Sequence, residues 1–305
     1  MEHVIVTGAT GMIGATMIEQ MLADGIKITA VIRPASSKAK NLPTHDNLTV
    51  IECDIDNLPS LSQMLSHNYD TFYHFAWNGT YGLSRDDIYL QEQNIKDTLD
   101  AVTLAHNLGC QTFVGAGSQA EFGRVEGKIS DRVEKKPITG YGIAKLTACQ
   151  LSRLLCEKYD IRHNWGRIVS TYGPRDNFYT MVMSSIINML EGKRMSFTKG
   201  EQMWDYLFGG DCSRAFYMIG KSGKHGKAYT IGSGKTRPLK EYIYDIRDVI
   251  DPSLEIGIGE LDYYPNQVMN LCADISELTE DTGFVPEISF KDGIRKTIEW
   301  YRGIK

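Results

Sequence analysis

The chain has 305 residues, 42% of them apolar, and a formal net charge of −5. That length suits one large α/β domain or a domain with a smaller lobe, and the apolar share suffices for a packed core. The acidic balance and the lack of a long basic run argue against nucleic acid as a partner, and no basic leader or run of about 20 apolar residues points to a membrane. Six scattered cysteines (Cys53, Cys110, Cys149, Cys156, Cys212 and Cys272) form no C-x-x-C pair. They argue against a zinc site or disulfide framework and for a reducing, cytoplasmic setting.

Taken in chain order, the first element is a short β-branched strand at residues 4–6. Gly8, Gly11 and Gly14 follow at G-x-x-G-x-x-G spacing, and an apolar helical pattern begins at Met12 and Ile13. A strand, glycine turn and helix in that order bring backbone N–H groups and a helix N-terminus to a pyrophosphate. Gly8, Thr10, Gly11, Met12, Ile13 and Gly14 are the expected dinucleotide contacts. A second strand spans 26–32. The position after it, where an acid would bind a ribose 2′-hydroxyl, is Arg33, with Lys38 nearby. A guanidinium favours a 2′-phosphate, hence NADP(H) over NAD, although a solvated loop arginine reads the same way.

Residues 48–53 form the third strand, followed by Asp54 and Ile55. Asp54 either caps the next helix or meets the adenine amino group. The fourth strand, 71–76, ends in Phe75, Ala76, Trp77 and Asn78, a loop expected over cofactor or substrate because ligands bind beyond the carboxyl ends of such strands. A helix at 88–105 carries Asn94, a residue type that mid-helix is usually structural. Strand 111–116 runs into Gly117-Ser118-Gln119-Ala120-Glu121. Tyr141 and Lys145 lie one turn apart on a helix to about residue 159, and a sixth strand covers 162–169. This alternation predicts a doubly wound parallel Rossmann sheet over residues 1–170. Past it come a smaller mixed α/β lobe (171–305), helices at 179–191, 239–250 and 291–301, and a strand at 204–208. A further helix, near 211–220, is expected to pack back on the first domain.

A phenol titrates near pH 10, so an adjacent lysine ammonium is expected to lower the pKa of Tyr141. With a strand-end serine to hold the substrate oxygen, Ser118, Tyr141 and Lys145 suit alcohol–ketone interconversion beside a nicotinamide.

These motifs, together with Asn94, Y-G-P at 172–174, W-D-Y-L-F at 204–208 and Y-T-I-G-S-G-K at 229–235, resemble the extended short-chain dehydrogenase/reductases of the NAD-dependent epimerase/dehydratase group. The resemblance implies Ser118, Tyr141 and Lys145 as the catalytic set. It also implies a dinucleotide reaching from the glycine turn to Asp54, Ile55, Asn94 and Ile168. A nucleoside-diphosphate sugar would lie in the cleft, with Asn78, Gln119, Tyr172, Arg175, Asn177 and Tyr264 as candidate contacts and Arg214, Arg237, Asp262 and Tyr263 as further ones. Sugar 4,6-dehydratases of the group carry an Asp-Glu pair where this chain has Gln119 and Ala120, so dehydration is disfavoured; Glu121 is expected to face elsewhere. Arg33 and the segments H-F-A-W-N-G and G-S-Q-A-E-F-G are similar to NADPH-dependent 4-keto-6-deoxysugar reductases. A C4 epimerase with retained NAD is the alternative, and a non-catalytic dinucleotide sensor a third. The resemblance implies a homodimer through the helices at 88–105 and 141–159.

Overall fold

The computed structural model describes residues 1–264 and 267–305. Seven parallel strands form the central sheet: β1 (His3–Thr7), β2 (Lys27–Ile32), β3 (Leu48–Glu52), β4 (Thr71–His74), β5 (Thr112–Ser118), β6 (Arg162–Ile168) and β7 (Ala228–Ile231). The spatial order is β7-β6-β5-β4-β1-β2-β3, so the winding reverses between β1 and β4. Two neighbouring strands there send their chains to opposite faces, which opens a crevice at their carboxyl ends.

Helices α1 (Met12–Ala23) and α5 (Gly209–Ser222) cover one face, and α2 (Ile88–Asn107) and α3 (Gly140–Lys158) the other. The strands are apolar on both sides, as a sheet covered on both faces requires: Val4, Ile5 and Val6 are all fully buried. On one side Val4 and Val6 join Met17, Ile18 and Phe216; on the other Ile5 joins Phe72, Val102 and Leu104.

Helices α4 (Met181–Leu190), α6 (Leu239–Ile250) and α8 (Phe290–Gly303) build the core of the second lobe around Met183, Ile186, Ile246 and Ile294. Among the expected helices, 239–250 has the observed bounds and the others lie within about two residues of theirs. The helix expected to pack back does so: Ser213 Oγ donates to Ile13 O at 2.9 Å, and Tyr217 OH to Asp24 at 2.8 Å. The division at residue 170, however, is one of chain and not of space. Strand β7 is the edge of the first sheet, and α7 (Ser276–Thr282) packs on α5.

The expected single strand at 204–208 is two short ones, Met203–Trp204 and Leu207–Phe208, belonging to different small sheets. The cause is Asp205. It is fully buried, and its carboxylate accepts from Ser233 N (2.7 Å), Gly234 N (3.0 Å) and Ala273 N (3.2 Å), so the backbone turns there to knot three segments together. Among the described residues, no helix is long and apolar enough to cross a membrane.

Candidate active site

Gly8 follows β1 at φ +66°, and a Cβ there would stand 2.6 Å from Ala76 N. One on Gly14 would stand 2.5 Å from Gly8 O, whereas one on Gly11 would meet nothing nearer than 3.4 Å. Gly8 and Gly14 therefore allow strand, turn and helix to close on each other, and Gly11 faces open space at the helix start. The first turn of α1 has no side-chain cap and no acidic residue, so its N–H groups are left for an anion. Those features fit a dinucleotide pyrophosphate. Asn41, which carried no signal in the sequence, donates to Thr10 O at 2.9 Å and braces the turn.

Arg33 is exposed just past β2, and its guanidinium makes no hydrogen bond or ion pair with any described residue; Lys38 is exposed nearby. Asp54 occupies the N-cap position of a 3-10 helix (Ile55–Gln63), yet its carboxylate makes no capping bond and stays exposed. Ile55 packs against the core cluster beneath, and Phe75 meets Phe216 edge-on at 4.9 Å, so both side chains serve the core. Ile168 pairs with Ser118 at the ends of β6 and β5.

Asn94 braces the loop after β4: its amide accepts from Asn78 N (2.8 Å) and donates to Asn78 O (2.9 Å). Gln91, one turn earlier on α2, accepts from Trp77 Nε1 at 3.0 Å and donates to Gly79 O and Ser84 O, both at 2.9 Å. Gln91 and Asn94 are both almost fully buried. Two polar residues at i,i+3 on one helix face were the signal that could have found this brace.

Ser118, Tyr141 and Lys145 come together at the carboxyl end of β5. Thr139 caps α3 by accepting from Gly142 N, and Asp86 accepts from Gly140 N, which together fix where Tyr141 enters. Burial pushes the Tyr141 phenol up to about 12; the Ser118 hydroxyl and the Arg85 guanidinium, 4.6 Å over its ring, oppose the rise. Burial also lowers Lys145 to about 7, and its ammonium donates to Ala116 O at 2.6 Å. The phenol therefore lies above its ordinary value, where a lowering by Lys145 was expected. Lys145 Nζ is 5.9 Å from the ring centroid, and Arg85, on a short 3-10 helix (Gly82–Asp86), is the nearer cation.

Glu121 faces away from the cleft, as expected. It is fully buried and accepts from Ser118 N (2.9 Å), Trp165 Nε1 (3.0 Å) and Arg167 Nε (2.6 Å). Gln119 is half-buried beside Ser118, and Asn78 half-buried in the braced loop.

Several other expected substrate contacts are committed elsewhere. Tyr172 is buried, its hydroxyl on Phe290 O and its ring 4.7 Å from that of Phe290. Arg175 ion-pairs with Glu19 of α1 and so ties the lobe to the first domain. Asn177 accepts from Tyr179 N in a local turn. Arg214 is paired with Asp211 and Glu287, and Arg237 with Asp245. Tyr263 bonds Glu201, and Tyr264 is 79% exposed with no side-chain partner among the described residues. Pro265 of that loop lies outside the described residues. A cavity of about 560 Å³ sits at the opposite, amino end of the strands, lined by Asp24, Asp70, Arg162, Tyr217 and Lys221. None of the motif residues reaches it, so the switch-point crevice is the candidate site.

Asp176 was missed. It is buried in the turn ahead of α4, accepts from Asn177 N and Thr180 Oγ1, and burial raises its pKa to about 6. A carboxyl with a raised folded pKa destabilises the folded state above its unfolded value, and the cost grows until pH passes the folded value. Asp176→Asn is therefore expected to gain about 2–3 kcal/mol over wild type at pH 7.5 and little at pH 4. Denaturant unfolding of both chains across that range checks it; a gain equal at both ends would contradict it.

A parallel doubly wound sheet with a glycine turn after β1, and with a serine, tyrosine and lysine gathered at one crevice, is a Rossmann-like α/β fold. Residues 4–232 match the model of the NAD dependent epimerase/dehydratase family, and the chain belongs to that family. It is similar to an uncharacterized UDP-glucose epimerase of Bacillus subtilis, 25% identical over 310 residues and 97% of each chain. Among solved structures, UDP-glucose 4-epimerase of Thermotoga maritima with UDP-glucose superposes with a TM-score of 0.89 at 22% identity, covering 99% of both chains. UDP-glucuronic acid 4-epimerase of Bacillus cereus in complex with NAD gives 0.85 at 21%, again covering 99% of both.

Proposed function

We propose that this chain is an NADPH-dependent reductase of the C4 ketone of a nucleoside-diphosphate 4-keto-6-deoxyhexose. The observation that carries the reading is Arg33. It is an exposed guanidinium free of any described partner at the end of β2, where a 2′-phosphate would be met. Gln119 and Ala120 offer no acid or base for dehydration. Tyr141, with its pKa raised by burial, is protonated at neutral pH, the state a proton donor needs.

In this reading the glycine turn, Arg33 and Lys38 hold the dinucleotide, which when bound supplies the hydride. Ser118 Oγ orients the substrate carbonyl. Tyr141 OH gives its proton to the C4 oxygen, and Lys145 Nζ holds the nicotinamide ribose. Gln119 and Asn78 line the sugar. The exposed Tyr89 on α2 and Ile143, Leu151 and Leu154 on α3 support a homodimer through those two helices.

The test is NADPH and NADH absorbance against dTDP-, CDP-, GDP- and UDP-linked 4-keto-6-deoxysugars; consumption of neither would end the reductase reading. A nucleotide-sugar C4 epimerase with retained NAD is the second reading, favoured by the epimerases to which the chain is similar. Release of NAD on denaturation, with isomerisation and no net consumption, would establish it. Arg33→Asp is expected to reverse cofactor choice, weakening NADPH at least tenfold while sparing NADH, because a carboxylate repels the 2′-phosphate and accepts from a ribose hydroxyl. Titration of each cofactor by fluorescence measures this.

A further inference from the structure

Lys145 is buried without an acidic partner: its ammonium is in no ion pair with any described residue, and its one hydrogen bond goes to Ala116 O. What it does meet is the indole of Trp77, 3.6 Å from ring centroid to Nζ. That indole is not loose. Its Nε1 is tied to Gln91, and the next residue is clamped through both backbone groups by Asn94. The other faces of the lysine are the rings of Tyr141 (5.9 Å) and Trp165 (6.0 Å), with Glu121 acting at longer range and His74 on β4 held neutral by burial.

We propose that Trp77 is the positioning residue of Lys145: its indole face seats the ammonium, and Gln91 and Asn94 hold that seat in place. An aromatic face attracts a cation most where water is excluded, so the contact favours the charged lysine in a site that otherwise penalises it. Burial lowers the lysine to about 7 and Glu121 opposes the fall; the Trp77 face, the nearest of the three rings at 3.6 Å, adds a further attraction for the charged form. The loop carrying Trp77 was expected over cofactor or substrate; its ring also meets the lysine. The catalytic meaning of the contact rests on the role proposed above for Lys145, but the contact itself can be read without turnover.

The experiment is an NMR titration of the full-length chain, with and without NADPH, carrying lysine labelled with carbon-13 at Cε. Lys145 should titrate near neutrality, apart from solvent-exposed lysines, and Lys145→Met assigns its signal. Trp77→Phe, which keeps a ring face, should leave the midpoint within about 0.3 unit. Trp77→Leu should lower it by about one unit, a tenfold change in the protonation equilibrium. Trp77→Met, which fills the space without a ring, replaces the leucine variant if that one does not fold. NADPH affinity should then fall about tenfold at pH 8 and no more than about twofold at pH 6, where Lys145 is mostly charged in the wild type and still about half charged in the variant. An unmoved midpoint in the ringless variants, or an equal loss of affinity at both pH values, overturns the proposal. If the midpoint shifts as stated while no nucleotide sugar is turned over, the functional reading falls and the seat of Lys145 stands.

Discussion

Tyr141→Phe is expected to lower turnover by roughly 10²–10⁴-fold, the usual contribution of a positioned proton donor, with dinucleotide affinity within about twofold of wild type. The substitution removes one oxygen and keeps the ring that packs edge-on to Trp77 at 6.0 Å and lies under Arg85. Stability should change by no more than about 1 kcal/mol, the net worth of one hydrogen bond. The loss should therefore sit in kcat with the folded state and the cofactor site intact. Steady-state rates, NADPH fluorescence titration and a thermal melt separate the three quantities. Because burial pushes the phenol up to about 12, ionisation of the donor should not lower wild-type kcat at saturating NADPH up to at least pH 9. Near wild-type turnover in the Phe variant would remove Tyr141 from the chemistry.

What the sequence made legible here was whatever a short local pattern dictates. The glycines at 8, 11 and 14 have fixed steric duties within one βα turn, and two of the three can be checked directly against the atoms a Cβ would strike. Tyr141 and Lys145 were legible because helical spacing alone puts them on one face. Residues whose role depends on a distant partner were not. A guanidinium at 175 reads as a diphosphate ligand until Glu19 of α1 is seen to hold it. Tyr172 reads as a cleft aromatic until α8 closes over it, and Asp205 as part of a strand until three backbone N–H groups from two other segments converge on it. The tuning of Tyr141 was hidden for the same reason: burial raises the phenol, and Ser118 and Arg85, both distant in sequence, oppose the rise.

Glu121→Ala is expected to cost about 3 kcal/mol of stability, the low end of what breaking a buried ion pair costs, because it strands Arg167 with one remaining carboxylate. Glu121 is fully buried and the Arg167 side chain 4% exposed; Asp131, which stays on Arg167 at 2.5 Å, is itself 38% exposed and shared with Lys135. Charge burial, not loss of volume, dominates this cost. The double variant Glu121→Leu with Arg167→Met should therefore recover most of it, since matched apolar side chains need no counter-ion. Catalysis should not recover with it. Glu121 Oε1 also accepts from Ser118 N and, with the Ser118 hydroxyl on Ala120 N, sets the turn that presents that serine. An apolar leucine cannot replace that acceptor for Ser118 N or Trp165 Nε1, so kcat should stay at least tenfold down even with most of the stability restored, with NADPH affinity unchanged. Urea unfolding and steady-state kinetics on both variants measure the two effects independently. Recovery of rate in step with stability would mean that the carboxylate supports the fold alone and that Ser118 needs no brace.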